Sequence, residues 1–156
     1  MKELIEYREK LLARLHEATS EFCEACKSYA DPLASINGGW SAHQFAFHVR
    51  GIDHEVYGMR IRRTLNEDEP EFLNFDPEVW MAEHYDPREP LDMILSEFSA
   101  SIHEIHDVLK NASQSVWSRL SSHEALGKEL TLQLWAERGL AHLEEHLKLL
   151  KSAQNL

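Results

Sequence analysis

Apolar residues recur with a period near 3.6 along four long stretches of the chain, and each stretch predicts an amphipathic helix. The first covers about Lys2 to Tyr29, with Leu4, Leu11, Leu12, Leu15, Thr19, Phe22, Cys26 and Tyr29 on one stripe. Asp31-Pro32 closes it, because proline disfavours helical geometry in the residue before it. Leu33 to Trp40 reads as a loop whose turn is Asn37-Gly38-Gly39. The second helix starts at Ser41, where Ser41-Ala42-His43-Gln44 matches a capping box: the serine caps and the glutamine reaches back. Its apolar face is Phe45, Ile52, Val56 and Met59, and it ends near Leu65.

Asn66 to Pro90 is a long connection holding Pro70, Pro77, Pro87 and Pro90, with a short helix expected within Pro77 to His84. A connection of that length is a crossover between distant helices or a functional segment. The third helix covers about Arg88 to Leu109 on Leu91, Ile94, Leu95, Phe98, Ile102, Ile105 and Leu109. Asn111 to Lys128 reads as a helical turn around Val116-Trp117 followed by a loop through Gly127. The fourth helix runs from near Thr131 to about Ser152, with Leu132, Trp135, Leu143, Leu149 and Leu150 inward. No strand or internal repeat is predicted. The pattern therefore reads as an all-α chain, a four-helix bundle formed by one domain over residues 1–156.

The formal net charge is -11, with acidic residues spread along the chain. That argues against nucleic acid, whose phosphates want a basic patch, and against an anionic membrane surface. No apolar run is long enough to span a bilayer. The N-terminus, charged and amphipathic, lacks the features of a signal peptide, so the expected location is the cytoplasm. Cys23 and Cys26 form a C-x-x-C inside the first predicted helix with no βαβ pattern around them. Cys26 falls on the apolar stripe and Cys23 at its edge, which favours small packed residues over redox or zinc chemistry.

Ten histidines remain to be sorted by helix face. His142 and His146 stand four apart, one above the other on the last helix, sharing a face with Trp135, Gly139 and Leu149. Gly139 costs roughly 1 kcal/mol relative to alanine in a helix interior, and its place one turn before the pair predicts open space beside them. On the second helix His48 falls within about 60° of Phe45, Ile52 and Met59 and points into the bundle, with Gln44 and Glu55 on the same face. His43 and His54 point away. His103 and His106 form a rival H-x-x-H pair, but His103 lies on the polar side. His16, His84 and His123 show no usable pattern.

Three histidines from two helices are thus predicted to face one interior. A core of separately hydrogen-bonded imidazoles is the ordinary explanation, yet each buried ring needs both nitrogens satisfied. A metal ion satisfies one nitrogen of all three, and the other then needs a carboxylate, carbonyl or water. Glu55 is the candidate for that supporting role. Three protein ligands leave coordination positions open, as catalytic zinc sites do; a fourth, such as His106 or Glu55, would close the site. Zn²⁺ is the default, and Ni²⁺, Cu²⁺ or Fe²⁺ also suit imidazoles.

These residues resemble a known family. Gly39-Trp40-Ser41-Ala42-His43-Gln44-Phe45-Ala46-Phe47-His48 is similar to the W-[ST]-x-x-[EQ]-x-x-x-H signature opening the second helix of DinB/YfiT-like proteins, and His142-Leu143-Glu144-Glu145-His146-Leu147 to their second motif, H-x-x-x-H-[IL]. The resemblance covers nearly the whole chain. It implies an up-down-down-up four-helix bundle and a divalent metal held by His48, His142 and His146. It also implies metal-dependent thiol chemistry of the bacillithiol or mycothiol S-transferase kind, and frequent homodimers. Gln44 stands where glutamate is often found. The resulting expectation is a metal-dependent transferase or hydrolase acting on a small molecule, including a low-molecular-weight thiol. Trp40, Trp80, Trp135 and Tyr85 are expected around its pocket and the segment 66–90 as a lid. The alternatives are a metal-binding, stress-associated bundle without turnover, and a bundle with no metal.

Overall fold

The structure, a computed structural model, describes residues 1–154. Its elements are α1 (Lys2–Lys27), α2 (Ala42–Ile52), a π-helical turn (Asp53–Tyr57), α3 (Gly58–Asn66), β1 (Glu71–Phe72), α4 (Pro77–His84), α5 (Leu91–Asn111), a 3-10 turn (Gln114–Ser118), β2 (Leu120–His123), β3 (Gly127–Thr131) and α6 (Leu132–Gln154). The four predicted long helices all form, and the short one within the crossover spans the expected residues.

Pairs of contacts fix the direction of each helix. Tyr7 bonds Glu137, Arg14 bonds Glu144, and Lys151 lies 3.4 Å from Glu21, so α1 and α6 run parallel. Arg50 reaches Glu97 at 3.0 Å and Arg62 reaches Ser101 at 3.0 Å, so the α2–α3 run is parallel to α5. The ring of His16 meets that of His106 while Phe22 meets Phe98, so α1 and α5 are antiparallel. The bundle is therefore up-down-down-up. The long crossover is what this topology requires: two successive helices can run parallel only if the chain returns between them.

The core lies between the four runs. Phe22, Ala18, Ile94, Phe98, Leu132, Trp135, Leu143 and Leu150 are buried in it, each large side chain contributing roughly 1.5–3 kcal/mol by leaving water. Cys26 is fully buried and Cys23 half-buried, and burial pushes both thiols up, which suits packing and not redox chemistry. At the start of α2 the capping box forms: Gln44 N–H donates to Ser41 Oγ at 3.1 Å, and Ser41 N–H donates to Gln44 Oε1 at 2.9 Å. Asp76 caps α4 through Glu78 and Val79 N–H, with Pro77 at the first helical position.

Two features differ from expectation. The first is the π turn inside what reads as one unbroken second helix. A π turn places one extra residue in a helical turn, so every later residue takes the place an unbroken helix would give its predecessor. Met59, predicted inward, is half-buried, and Arg60 is buried at 5 % exposure in its stead. Gly58 follows the turn, its N–H donating to Asp53 O; a Cβ there would stand 2.5 Å from that oxygen and from Asp53 Oδ1.

The second is a small sheet where none is predicted. β2 pairs antiparallel with β3 (Leu120 with Thr131, Ser121 with Leu130) and parallel with β1 (Phe72 with His123). Strands this short and this rich in Ser, Glu and Lys carry no hydrophobic alternation. They are held instead by buried anchors: Trp135 Nε1 donates to Ser121 Oγ at 2.8 Å, and Phe72 packs edge-on to Trp135. Gly127, at φ +101, supplies the hairpin's left-handed position.

Candidate metal centre

α2 and α6 run antiparallel past each other and bring three imidazoles together. His48 Nε2 lies 3.1 Å from His142 Nε2, and His146 Nε2 lies 3.0 Å from the same atom. One ligand atom from each ring falls within 4.8 Å of the others, and among the described residues this is the group of histidine, cysteine and carboxylate side chains so placed. His48 is buried; His142 and His146 are half-buried. The ring of Trp40 lies 4.9 Å from that of His48 and the ring of Phe45 5.6 Å from that of His146, so aromatic residues cover one flank.

Electrostatics keeps the cluster neutral. Burial, then the neighbouring His146, lowers His48 to about 4. Burial, then His146 and His48, lowers His142 to about 3. His146 is also lowered by burial, with Glu145 opposing. At neutral pH all three rings therefore carry a free lone pair, the state a metal ligand needs.

The fit to a metal can be tested on the nitrogen atoms. Without an ion, His142 Nε2 accepts from both neighbours only if each carries its proton on Nε2; their Nδ1 atoms are then buried acceptors with no donor. With an ion on the Nε2 atoms, the same Nδ1 atoms become N–H donors. Nδ1 of His48 and of His146 has no protein partner in either case, so those atoms do not discriminate. What favours an ion is that His142 Nε2 has one lone pair for two neighbouring N–H groups, whereas an ion takes one lone pair from each ring. Two ligands at 2.0–2.1 Å around a tetrahedral ion stand about 3.3 Å apart, close to the observed spacings. The donor set fits a borderline divalent ion.

The other expected participants are placed differently. Glu55 does not meet the histidines: its carboxylate lies 3.3 Å from His54 Nδ1, and among the described residues no hydrogen bond joins it to the cluster. The π turn, which contains Glu55, removes it from the face an unbroken helix would give it. His106 lies against His16 and Asp107, away from the site. His43, predicted to point outward, is buried; its Nδ1 meets Tyr85 Oη at 2.8 Å and its Nε2 meets Glu89 O at 2.6 Å, pinning the crossover to α2. Gly139 lines, with His142, a small apolar cavity of about 30 Å³, but the space directly over its Cα is taken. A Cβ there would stand 3.2 Å from Tyr57 Cβ, so the glycine lets the π turn approach α6, and the Tyr57 ring then lies 5.8 Å from that of His142.

Trp40 flanks the site, but Trp80 packs over Gly51, where a Cβ would fall 2.2 Å from its ring, and Trp135 is wholly buried. The side of the site away from Trp40 opens into a cavity of about 360 Å³ lined by His48, His142, Tyr57, Arg60, His123 and Arg138. Asn74, Phe75 and Pro77 of the crossover and Ala125 and Leu126 of the hairpin complete the wall. The crossover thus lines the pocket through these three residues. Arg60, His123 and Arg138 are missed by sequence reasoning. The available signal, a buried position one step past Met59, is hidden by the π turn.

No family model matches the chain, and no curated protein matches it. A solved structure does: YfiT from Bacillus subtilis, described as a probable metal-dependent hydrolase with an unusual four-helix bundle topology. The match has a TM-score of 0.83 at 18% identity and covers 96% of this chain and 87% of that one. At that identity the likeness is one of fold, and at that level the resemblance read from the two motifs holds: this chain has the fold of YfiT.

Proposed function

We propose that His48, His142 and His146 hold one divalent metal ion, zinc by default, and that the protein is a metal-dependent enzyme of the hydrolase or thiol S-transferase type acting on a small molecule. The observation that carries this reading is the convergence of three neutral imidazoles, two of which, His48 and His142, line a cavity. The description of YfiT as a probable metal-dependent hydrolase supports it. Three protein ligands would leave an ion held by His48, His142 and His146 an open position, and the chemistry supplied there would be a lowered pKa of a bound water or thiol.

The chain's own residues do the rest. The aromatic rings of Trp40 and Phe45 exclude water from one flank of the histidines. Tyr57 stands beside His142 on the cavity side. His123 Nδ1 accepts the N–H groups of Ala125 and Leu126 at 3.0 and 3.1 Å, which fixes its proton on Nε2. Exposed Leu4 and Tyr7 on α1 and Met93 and Val108 on α5 provide apolar surface that a homodimer would cover, a state that sedimentation velocity reads directly.

The test is elemental analysis of purified protein and of the His142→Ala variant, followed by metal-dependent ester and amide hydrolysis and thiol conjugation to an electrophile. About one ion per chain is expected in the parent and a severe loss in the variant, because affinity depends on ligand count. Equal, negligible metal in both sinks the metal centre. Metal-loaded protein inert across both panels sinks the enzyme and leaves a metal-binding bundle.

A further inference from the structure

The cavity beside the three histidines has a charge that the chain as a whole does not. The protein carries 27 acidic and 16 basic residues, and most arginines elsewhere stand against carboxylates: Arg62 with Glu104, Arg63 with Glu67, Arg50 with Glu89 and Glu97, Arg119 with Asp68. Buried Arg8 differs, but its guanidinium donates to the neutral oxygens of Gln114 and Gln133 at 2.9–3.2 Å. Of the two arginines that line the cavity, Arg60 and Arg138, neither has a carboxylate partner among the described residues.

Arg60 is the more telling of the two. It is 5 % exposed, and its Nε is buried with no partner. One guanidinium nitrogen donates to Leu73 O at 3.3 Å, and the group lies over the Trp135 ring at 4.7 Å and that of Phe72 at 5.8 Å. Those contacts hold its position but bring no negative charge. A buried cation without a counter-ion is costly to keep, and Arg138, exposed on the same wall, adds a repulsion that solvent weakens. Such a pair is retained most simply if an anion completes it. His123, on the same wall, is lowered by burial and by Arg60, so it adds no further positive charge there.

We infer that the cavity is an anion-binding subsite: Arg60 and Arg138 receive the carboxylate or phosphate of a small-molecule substrate, and so direct its reacting group toward His48 and His142. The inference takes from the proposed function only the place of the reacting centre. Arginine suits either anion, since its planar fork can pair two oxygens at once. The cavity volume suits a small metabolite and not a polymer.

Binding of benzoate and of its neutral isostere benzamide, measured by titration calorimetry on the full chain, tests this in metal-free and in zinc-loaded protein. Inorganic phosphate, run in parallel, separates a planar from a tetrahedral anion. Benzoate or phosphate is expected to bind the metal-free protein at least about tenfold more tightly than benzamide, and Arg138→Gln to weaken the anion about fivefold or more while leaving benzamide unchanged. Raising salt from about 0.05 to about 0.5 M should erode the preference. Arg60→Gln should abolish it; because Arg60 is buried and that variant can fail to fold, Arg138→Gln and the salt series carry the decision.

Equal binding of benzoate and benzamide, with no phosphate binding, overturns the inference. So does a preference present only with zinc and insensitive to Arg138→Gln, since the metal and not the arginines would then be the anion's partner. Failure of the metal centre shows itself separately, as equal metal content in the parent and His142→Ala, and leaves the metal-free arm intact.

Discussion

Replacing Gly58 by alanine tests whether the π turn is built into the chain. An unbroken helix would welcome the change, since alanine is favoured over glycine by about 1 kcal/mol in a helix interior. The structure says otherwise. The new Cβ would stand 2.5 Å from Asp53 O and from Asp53 Oδ1, and 3.0 Å from Asp53 Cγ. Reaching ordinary contact requires opening roughly 0.9 Å against backbone, for which overpacking costs of 1–3 kcal/mol are typical. Asp53 has little freedom to move: it is buried, and its Oδ2 accepts from Ser101 Oγ at 2.5 Å. Taking the upper end of that range and subtracting the gain in propensity leaves a net loss of about 2 kcal/mol, which lowers the melting temperature by about 4–8 °C in a chain of this size. Urea and thermal unfolding followed by circular dichroism measure both quantities. If Gly58→Ala melts at the parent temperature or above, the helix regularises without penalty and the π turn is not enforced by contacts at Gly58.

Acid should weaken the metal-free protein through the same histidines. His48 and His142 titrate at about 4 and about 3 in the fold, below their ordinary value of 6.5, so the unfolded chain binds more protons in acid. Their contribution is complete above about pH 6.5 and declines as the pH falls; each withdraws about 2 kcal/mol by about pH 5. Buried Asp53, whose carboxyl is raised, acts in the opposite sense, and His123, lowered by burial, acts in the same one. A melting temperature in chelator that stays constant from pH 8 to pH 5 contradicts this account. Ser41→Ala removes the α2 cap and should cost about 1 kcal/mol; an unchanged urea midpoint would show that α2 is held by packing alone.

The amino-acid sequence by itself determined a good deal: the four helical runs, the Ser41 cap, the Pro77–His84 helix, and the faces of His48, His142 and His146. These are local properties. A period of 3.6, a capping serine and an i, i+4 spacing act through bonds within a turn or two, so they can be read without knowing what lies opposite. The tertiary structure decided the rest. Where the second helix gains an extra residue depends on Asp53 meeting Ser101 of α5 and on Tyr57 meeting Gly139 of α6. That single residue removes Glu55 from the site and brings Arg60 to the cavity wall. The short sheet likewise exists because Ser121 and Phe72 have Trp135 to pack on. Periodicity assumes an unbroken helix and sees only one strand at a time, so it yields the three histidines that converge but not the arginines that line the cavity beside them.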